Sequence, residues 1–411
     1  MRPGLLFPMI LLAASSQAQI PDVRQLARDI AAQSSDSEQE VRVTAFMEQV
    51  RAIGTPLLEN DTTAVFIYHG PGKRVRISGD MTHWASEVEF ARIPNTDVHY
   101  YRGTYPAEAR LEYALIVDDH PPIPDPLCPN KVLNGLGALS ELVMPAYRYH
   151  PIFEAVRGGT FGNYDRVTQY QLPTGIMGYP TEIHVYAPPG YDTSEDSFPA
   201  VFLQDGPDYI EYAHTPAALD HLIESEAIAP ILAVFISPPN RHQPATPNRA
   251  TEYGLNPDYA HFMAEELVPF VQERYRTIAQ PSARLVAGPS FGGLVSAYVP
   301  FRHPDIFGLS YSQSGYLSFR GDSLLDAYER SGRKSVRLFV DIGRYERSVG
   351  RGWLPDDEVD FLAANRRFQD LLAAKGYDFV YREYPEGHTW GNWRAHLMDA
   401  LAHFFPAGIT H

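Results

Sequence analysis

A serine in a glycine-rich turn is the residue of this sequence best suited to covalent chemistry. Residues 288–292, GPSFG, fit the pattern G-x-S-x-G, which is typical of a sharp turn that follows a buried strand, opens a helix and exposes a serine hydroxyl. A short apolar run precedes the turn and a helix of small residues follows it. The pattern alone is weak, because glycine and serine are common in ordinary turns. It makes Ser290 the candidate nucleophile.

A serine hydroxyl reacts poorly at neutral pH unless a base takes its proton and an acidic side chain orients that base. His388 is the candidate base, because it lies in a glycine-containing loop between the last predicted strand and the last predicted helix. For the acid we favour Glu346, in the loop after the preceding strand, over Asp341 at the end of that strand. An acid among residues 356–360 is a further alternative.

Backbone N–H groups are needed to stabilise the oxyanion that forms when a serine attacks a carbonyl carbon. One is expected from Phe291, the residue after the nucleophile, and the other from the loop after an early strand. In that loop Pro207 has no N–H, so Gly206 is preferred to Asp208.

Aromatic side chains occur close to these loops. Tyr209, Trp390 and Trp393, together with Phe291, favour a substrate with a flat or aromatic acyl group. The alternative interpretation is that these rings pack the turn and the last helix.

The segments that must position these residues alternate between strands and helices from about residue 165 onward. The apparent strands are 167–171, 182–187, 200–203, 231–236, 284–287, 308–312, 336–341 and 379–383, and the helices are 216–227, 259–275, 291–303, 361–375 and 393–404. This alternation predicts an α/β domain over residues 151–411, with a doubly wound, mostly parallel sheet. Reactive side chains should lie beyond the carboxyl ends of its strands.

The first 150 residues have a different organisation. Residues 61–150 contain short runs of alternating aromatic or β-branched residues, which predict a small immunoglobulin-like β-sandwich. Residues 19–60 carry two helical patterns and are interpreted as an appendage on a neighbouring domain. Residues 1–18, with Arg2, an apolar run and Ala18 at a cleavage site, predict a signal peptide and a secreted or periplasmic protein.

Composition restricts the partners. The formal net charge of -16 argues against nucleic acid and anionic membranes, and no long apolar run predicts membrane insertion. A single cysteine, Cys128, cannot form an internal disulfide. No metal-ligand spacing or nucleotide-binding loop occurs in the sequence, so no metal or other cofactor is expected.

Several motifs together resemble one known family. LQDGPDY, NRATEY, AGPSFGGL and EGHTWGNWRAHL are similar to segments of the enterochelin esterase/esterase D family of α/β-hydrolases, which includes feruloyl and acetyl xylan esterases. The resemblance implies Ser290 as nucleophile, His388 as base and Glu346 as acid. The segment GDMTHW at residues 79–84 resembles early-set domains related to carbohydrate-binding family 48, which also precede the hydrolase in enterochelin esterases.

The sequence therefore predicts a secreted serine ester hydrolase that acts through an acyl-enzyme on a small-molecule or polysaccharide-linked ester. A siderophore ester of the enterochelin type is one substrate class, and a feruloyl or acetyl ester of a polysaccharide is the alternative. An anionic ferric complex would favour a basic pocket, for which the candidate cations are Arg241, Arg249, Arg344, Arg347 and Arg394. A non-catalytic binding protein with a vestigial site is the third hypothesis, and the oligomeric state is not predicted.

Overall fold

The computed structural model of the chain describes residues 20–33, 35–135, 137–153, 164–240, 247–349 and 360–408. The predicted signal peptide, residues 1–18, lies outside the described residues. So do Arg241 and the alternative acids Asp356, Asp357 and Glu358.

A β-sandwich forms the first of two domains. Its strands, within the described ranges, are β1 Leu57–Asn60, β2 Thr63–His69, β3 Val75–Gly79, β4 Val88–Glu89, β5 Ala91–Arg92, β6 Val98–Thr104, β7 Arg110–Val117, β8 Lys131–Asn134 and β9 Gly137–Val143. They form two sheets, with strand orders β1-β2-β6-β5 and β4-β3-β7-β9-β8. Apolar side chains such as Phe66 of one sheet and Tyr113 of the other pack between them. The sandwich begins at Leu57, ahead of the predicted boundary at residue 61, because β1 pairs with β2.

Two helices cover the outer face of the first sheet. These are α1 Val23–Ala32 and α2 Asp36–Ile53, and their apolar residues, including Leu26 and Met47, pack with Val65 and Ile67 of β2. This gives β2 buried side chains along nearly its whole length. The helical appendage is thus a third layer of the sandwich.

The second domain is built on an eight-stranded sheet. Its strands are β10 Val167–Leu172, β11 Thr181–Tyr186, β12 Ala200–Gln204, β13 Leu232–Ile236, β14 Arg284–Pro289, β15 Leu309–Gln313, β16 Arg337–Gly343 and β17 Asp378–Tyr384, in the order β10-β11-β13-β12-β14-β15-β16-β17. The first two strands are antiparallel to their neighbours and the others are parallel. Apolar clusters fill both faces, so the predicted α/β fold with a mostly parallel sheet is confirmed.

Helices cover both faces of this sheet. They are α3 Gly206–Glu211, α4 Thr215–Glu224, α5 Arg249–Tyr253, α6 Pro257–Phe262, α7 Val268–Arg274, α8 Phe291–Arg302, α9 Phe319–Arg330, α10 Phe361–Ala374 and α11 Trp390–Phe404. A π turn, Met263–Leu267, joins α6 to α7, so the single helix predicted over 259–275 is interrupted. Pro269 explains the interruption, because it lacks the N–H that a regular helix would use there.

The strand register brings the predicted site loops to one rim of the sheet. Pro289 of β14 lies beside Gln313 of β15, Gln313 lies beside Asp341 of β16, and Gly343 of β16 lies beside Tyr384 of β17. All these strands end at the same edge. The residues that follow them, including Ser290 and His388, therefore share that edge.

No helix in the described part of the chain is both long enough and apolar enough to cross a bilayer.

Candidate active site

The glycine-rich turn has the strained geometry of a nucleophile elbow. Ser290 follows β14 and precedes α8, with φ 62° and ψ -118°, an unusual conformation for a residue with a side chain. Its N–H donates to the Gln313 carbonyl at 2.9 Å, which ties the turn to β15. A Cβ at Gly288 would lie 2.7 Å from the Gln204 Cβ and 2.9 Å from the Gly292 backbone. Glycine is required there because the turn leaves no room for a methyl group.

Three side chains from distant parts of the sequence form one hydrogen-bonded chain at this rim. His388 Nε2 lies 2.9 Å from Ser290 Oγ, and His388 Nδ1 lies 2.6 Å from Glu346 Oε2. Because the carboxylate accepts, Nδ1 carries the proton and Nε2 presents a lone pair to the serine hydroxyl. The structure therefore brings together the three residues that the sequence predicted.

The Glu346 carboxylate is held by donors from three other elements. Its Oε1 accepts from the Gly343 N–H at 2.8 Å and from the Ser314 hydroxyl at 2.7 Å, and Asn392 Nδ2 lies 3.5 Å away. Glu346 is fully buried. These contacts leave Oε2 directed at the imidazole of His388.

Ser314 and Asn392 were not found from the sequence. Ser314 has φ 46°, and its hydroxyl also accepts from Trp393 Nε1 at 2.9 Å. Asn392 bonds the Gly387 carbonyl at 3.0 Å, next to the histidine. The position of Ser314 could have indicated a site residue, because the segment S-Q-S-G ends a strand next to the one that precedes the elbow.

Trp393 was predicted to bind substrate, and the structure places it behind the imidazole instead. Its ring meets the His388 ring edge to face, with centroids 4.9 Å apart, and Phe361 makes a similar contact at 5.0 Å. Trp393 is only 7% exposed. The two rings restrict the rotation of the imidazole and leave little of Trp393 for a ligand.

The prediction that Tyr209 binds substrate is wrong, because Tyr209 has no exposed surface. Its hydroxyl donates to Gln313 Oε1, and its ring packs edge to face on Trp390. Trp390 is 6% exposed and also contacts Tyr212 and Trp393. The alternative interpretation, in which these aromatic residues pack the elbow and the last helix, describes them correctly.

The two alternative acids within the described residues have other partners. Asp341 accepts from the Tyr311 hydroxyl and, at 3.3 Å, from the Ser314 N–H. Burial raises the pKa of Asp341 to about 7, against the lowering effects of His396 and Tyr311. Asp360 caps α10 by accepting from the Ala363 N–H at 2.8 Å.

The predicted oxyanion donors occupy the first positions of two helices. Phe291 begins α8 and Gly206 begins α3, and N–H groups at such positions have no carbonyl partner within their helix. A Cβ at Gly206 would lie 2.3 Å from the Phe235 backbone, so the turn after β12 requires glycine. The weaker alternative, Asp208, uses its N–H on the Asp205 carbonyl at 2.9 Å.

Arg249 was predicted to bind substrate, and its guanidinium holds the elbow. Nε and Nη2 donate to the two Asp205 carboxylate oxygens at 2.6 and 2.7 Å, and Nη2 also donates to the Pro289 carbonyl at 3.0 Å. The bidentate pair neutralises the arginine charge. Arg249 thus joins the loop after β12 to the residue before the serine.

Two of the other candidate cations have acidic partners in the first domain. Arg344 pairs with Glu108 at 3.3 Å, and Arg394 lies 3.6 Å from Glu141. Arg347 is exposed. A cluster of three or more His, Cys, Asp or Glu that could hold a metal ion is absent from the described residues.

Comparison with known proteins decides the family. The Esterase family model, described as "Putative esterase", matches residues 174–404, more than half of the chain. The chain belongs to this esterase family. The esterase is 24% identical over 408 residues to an iron(III) enterobactin esterase of Dickeya dadantii (strain 3937), which covers 87% of the chain and 92% of that relative. It is 27% identical over 172 residues to the uncharacterized protein YbbA of Bacillus subtilis (strain 168), covering 39% of the chain and 67% of YbbA.

A solved structure has the same fold. The ferric enterobactin esterase from Salmonella typhimurium matches the esterase with a TM-score of 0.71 and 20% identity, covering 84% of the chain and 94% of that structure. The resemblance to the enterochelin esterase family predicted from the motifs is confirmed. Membership makes the protein a carboxylic ester hydrolase with a serine nucleophile.

Proposed function

We propose that this esterase hydrolyses its substrate through an acyl-enzyme on Ser290, with His388 as general base and Glu346 as the acid that orients it. The hydrogen-bonded chain from Ser290 Oγ through the imidazole to the buried carboxylate carries the proposal. The carboxylate fixes the tautomer in which Nε2 accepts the serine proton, and it stabilises the imidazolium that results.

Two half-reactions complete hydrolysis. Ser290 Oγ bonds to the ester carbonyl carbon while His388 takes its proton, and the N–H groups of Phe291 and Gly206 stabilise the oxyanion. The C–O bond to the alcohol then breaks, and the imidazolium gives its proton to the leaving oxygen. In the second half-reaction, His388 takes a proton from a water molecule as its oxygen bonds to the acyl carbon. The bond between the acyl carbon and Ser290 Oγ then breaks, the imidazolium returns the proton to Oγ, and the carboxylic acid leaves.

The substrate class that we propose is a catecholate siderophore ester of the enterobactin type. The enterobactin esterase of Dickeya dadantii aligns along 87% of the chain, so the similarity extends beyond the hydrolase domain into the sandwich. Similarity along both domains is the main support, because the hydrolase domain alone is compatible with many esters.

A second candidate is a feruloyl or acetyl ester on a polysaccharide. The observation that favours it is the pairing of Arg249 with Asp205, of Arg344 with Glu108 and of Arg394 with Glu141. Charges neutralised in this way attract an anionic ferric complex weakly, so a neutral ester is the better fit to these arginines.

Hydrolysis of a panel of esters tests both candidates. The panel contains p-nitrophenyl acetate, methyl ferulate and enterobactin, with Ser290→Ala as the blank. We expect Ser290-dependent hydrolysis of p-nitrophenyl acetate and a higher kcat/KM for enterobactin than for methyl ferulate. A preference for methyl ferulate would select the second candidate. Equal rates for the wild type and the blank would support the third hypothesis, a non-catalytic binding protein with a vestigial site.

We also propose that the protein is exported after removal of residues 1–18. The support is the charged start, the apolar run and Ala18 in the sequence. Expression of the full chain in a Gram-negative host and sequencing of the N-terminus test this proposal. A protein that begins at Gln19 in the periplasmic fraction is expected, and an uncleaved chain in the cytoplasm would contradict it.

A further inference from the structure

One turn of the β-sandwich lies against both loops that carry the base and the acid. This sandwich turn comprises residues 79–84 and contains a short 3-10 helix, Asp80–Thr82. Two successive residues after that helix, His83 and Trp84, have φ 58° and 54°. Two adjacent non-glycine residues in the left-handed region are unusual and indicate a geometry that surrounding contacts maintain.

The contact with the acid loop is a hydrogen bond between the domains. His83 Nδ1 lies 2.6 Å from the carbonyl oxygen of Tyr345, the residue before Glu346. Because a carbonyl only accepts, the imidazole donates through Nδ1. The Tyr345 N–H in turn donates to the Glu386 carbonyl at 3.1 Å, which links the acid loop to the loop of His388.

The contact with the base loop is made by a buried carboxylate. A Cβ built on Gly387, the residue before His388, would lie 2.0 Å from Asp80 Oδ1, so only glycine allows this approach. Asp80 is itself fixed by the Glu112 N–H and by Trp84 Nε1, each at 2.7 Å. The Asp80 carboxyl of the sandwich turn thus packs directly against the backbone of Gly387, beside the imidazole of His388.

A second sandwich residue contacts the start of α11, the helix that follows the same loop. Arg110 of β7 is buried and forms ion pairs with Glu112 and Glu141 in its own domain. A Cβ built on Gly391 would lie 1.9 Å from Arg110 Nη1, and the same nitrogen lies 3.7 Å from Glu386 Oε2. Sandwich side chains therefore contact the backbone on both sides of His388.

We propose that the β-sandwich is part of the catalytic apparatus. His83, Asp80 and Arg110 act as positioning residues that fix the loops of Glu346 and His388 relative to each other. The proposal rests on the proposed function of Ser290, His388 and Glu346. None of the three positioning residues touches the reacting atoms, and they act by fixing the backbone next to the acid and the base. The sandwich then contributes to turnover of every ester, including esters too small to reach it.

His83 offers a matched pair of variants. His83→Ala removes the donor to the Tyr345 carbonyl. His83→Asn keeps a side-chain N–H close to the position of Nδ1, and asparagine tolerates positive φ well. His120→Ala is the control, because His120 is an exposed histidine of the same domain. The ester is p-nitrophenyl acetate, and kcat, KM and the melting temperature are measured for each full-length protein.

We expect His83→Ala to lower kcat about tenfold with KM within about twofold, as for loss of one hydrogen bond that positions the loop of the acid. His83→Asn should recover most of the lost kcat, and His120→Ala should match the wild type. A role in holding the domains together alone would lower the melting temperature and leave kcat unchanged in the folded protein.

Two results would overturn the proposal while leaving the proposed function intact. One is an unchanged kcat in His83→Ala beside Ser290-dependent activity in the wild type. The other is an equal loss of kcat in the Ala and Asn variants together with a lowered melting temperature. Absence of Ser290-dependent hydrolysis in the wild type would instead remove the proposed function, and the positioning role with it.

Discussion

Replacement of Glu346 by glutamine tests the acid assignment most sharply. The substitution preserves size and removes the charge. In the native structure Glu346 Oε1 accepts from the Gly343 N–H at 2.8 Å and from the Ser314 hydroxyl at 2.7 Å. A glutamine carbonyl oxygen is expected to keep both bonds, which directs the NH2 group at His388. The imidazole must then accept at Nδ1 and carry its proton on Nε2, facing the serine.

The size of the expected loss of kcat follows from the tautomer of His388. With the proton on Nε2 the ring cannot take the serine proton, and a triad held in the wrong tautomer loses about 10⁴-fold in kcat. A loss between about 10³ and 10⁴ corresponds to about 4 to 5.5 kcal/mol of transition-state stabilisation at 1.36 kcal/mol per tenfold change. KM should change little, because Glu346 is fully buried and does not contact substrate.

Asp341→Asn is the matched control. This carboxyl is also buried at the rim, but it accepts from the Tyr311 hydroxyl and the Ser314 N–H, so its replacement leaves the bond between Glu346 and His388 in place. We expect less than about a tenfold loss of kcat on p-nitrophenyl acetate. A kcat above a tenth of the wild-type value in Glu346→Gln, or a larger loss of kcat in Asp341→Asn than in Glu346→Gln, would rule out Glu346 as the acid.

Three further predictions concern the elbow, the acid and stability. Gly288→Ala should lower kcat at least about 100-fold, because its Cβ would lie 2.7 Å from Gln204 Cβ and would displace the serine. Gly332→Ala is the control and should be active, because the space around Gly332 is open. Equal kcat values for the two variants would contradict the elbow geometry. Ser314→Ala removes a donor to the acid and should lower kcat about tenfold with KM unchanged; an unchanged kcat would exclude this role. Burial favours the neutral ring of His396, but Glu386 and Asp399 raise its pKa to about 9. Between about pH 6.5 and pH 9 the folded state therefore binds more protons than the unfolded chain. The free energy of unfolding, measured with urea, should fall as the pH rises over this range. His396→Gln should flatten this slope, and a rise in stability over the same range would contradict it.

The sequence was sufficient to predict the sheet, Ser290 and His388, because their signals are local, whereas for the acid it favoured Glu346 and left Asp341 and residues 356–360 as alternatives. A glycine pattern between a strand and a helix predicts the elbow at Ser290. The order of strands then restricts His388 and Glu346 to loops at the same rim. Each of these features depends on residues close to it in the sequence.

Contacts between distant segments could not be predicted in the same way. Tyr209 was interpreted as a ligand contact because it follows the oxyanion loop, but α3 turns its ring into the core against Trp390. Arg249 looked like a free cation, and its partner Asp205 lies 44 residues away. The short helices α3 and α5 gave too few residues for a periodic signal. The contact between His83 and Tyr345 joins residues 262 apart in different domains.

All the other assignments depend on acylation of Ser290 during turnover. Mass spectrometry of the protein after treatment with a fluorophosphonate tests it directly, with Ser290→Ala treated in parallel. We expect a single label on the peptide that contains Ser290, loss of esterase activity in step with labelling, and no label on Ser290→Ala. Labelling of another residue, or equal labelling of the wild type and the variant, would contradict it.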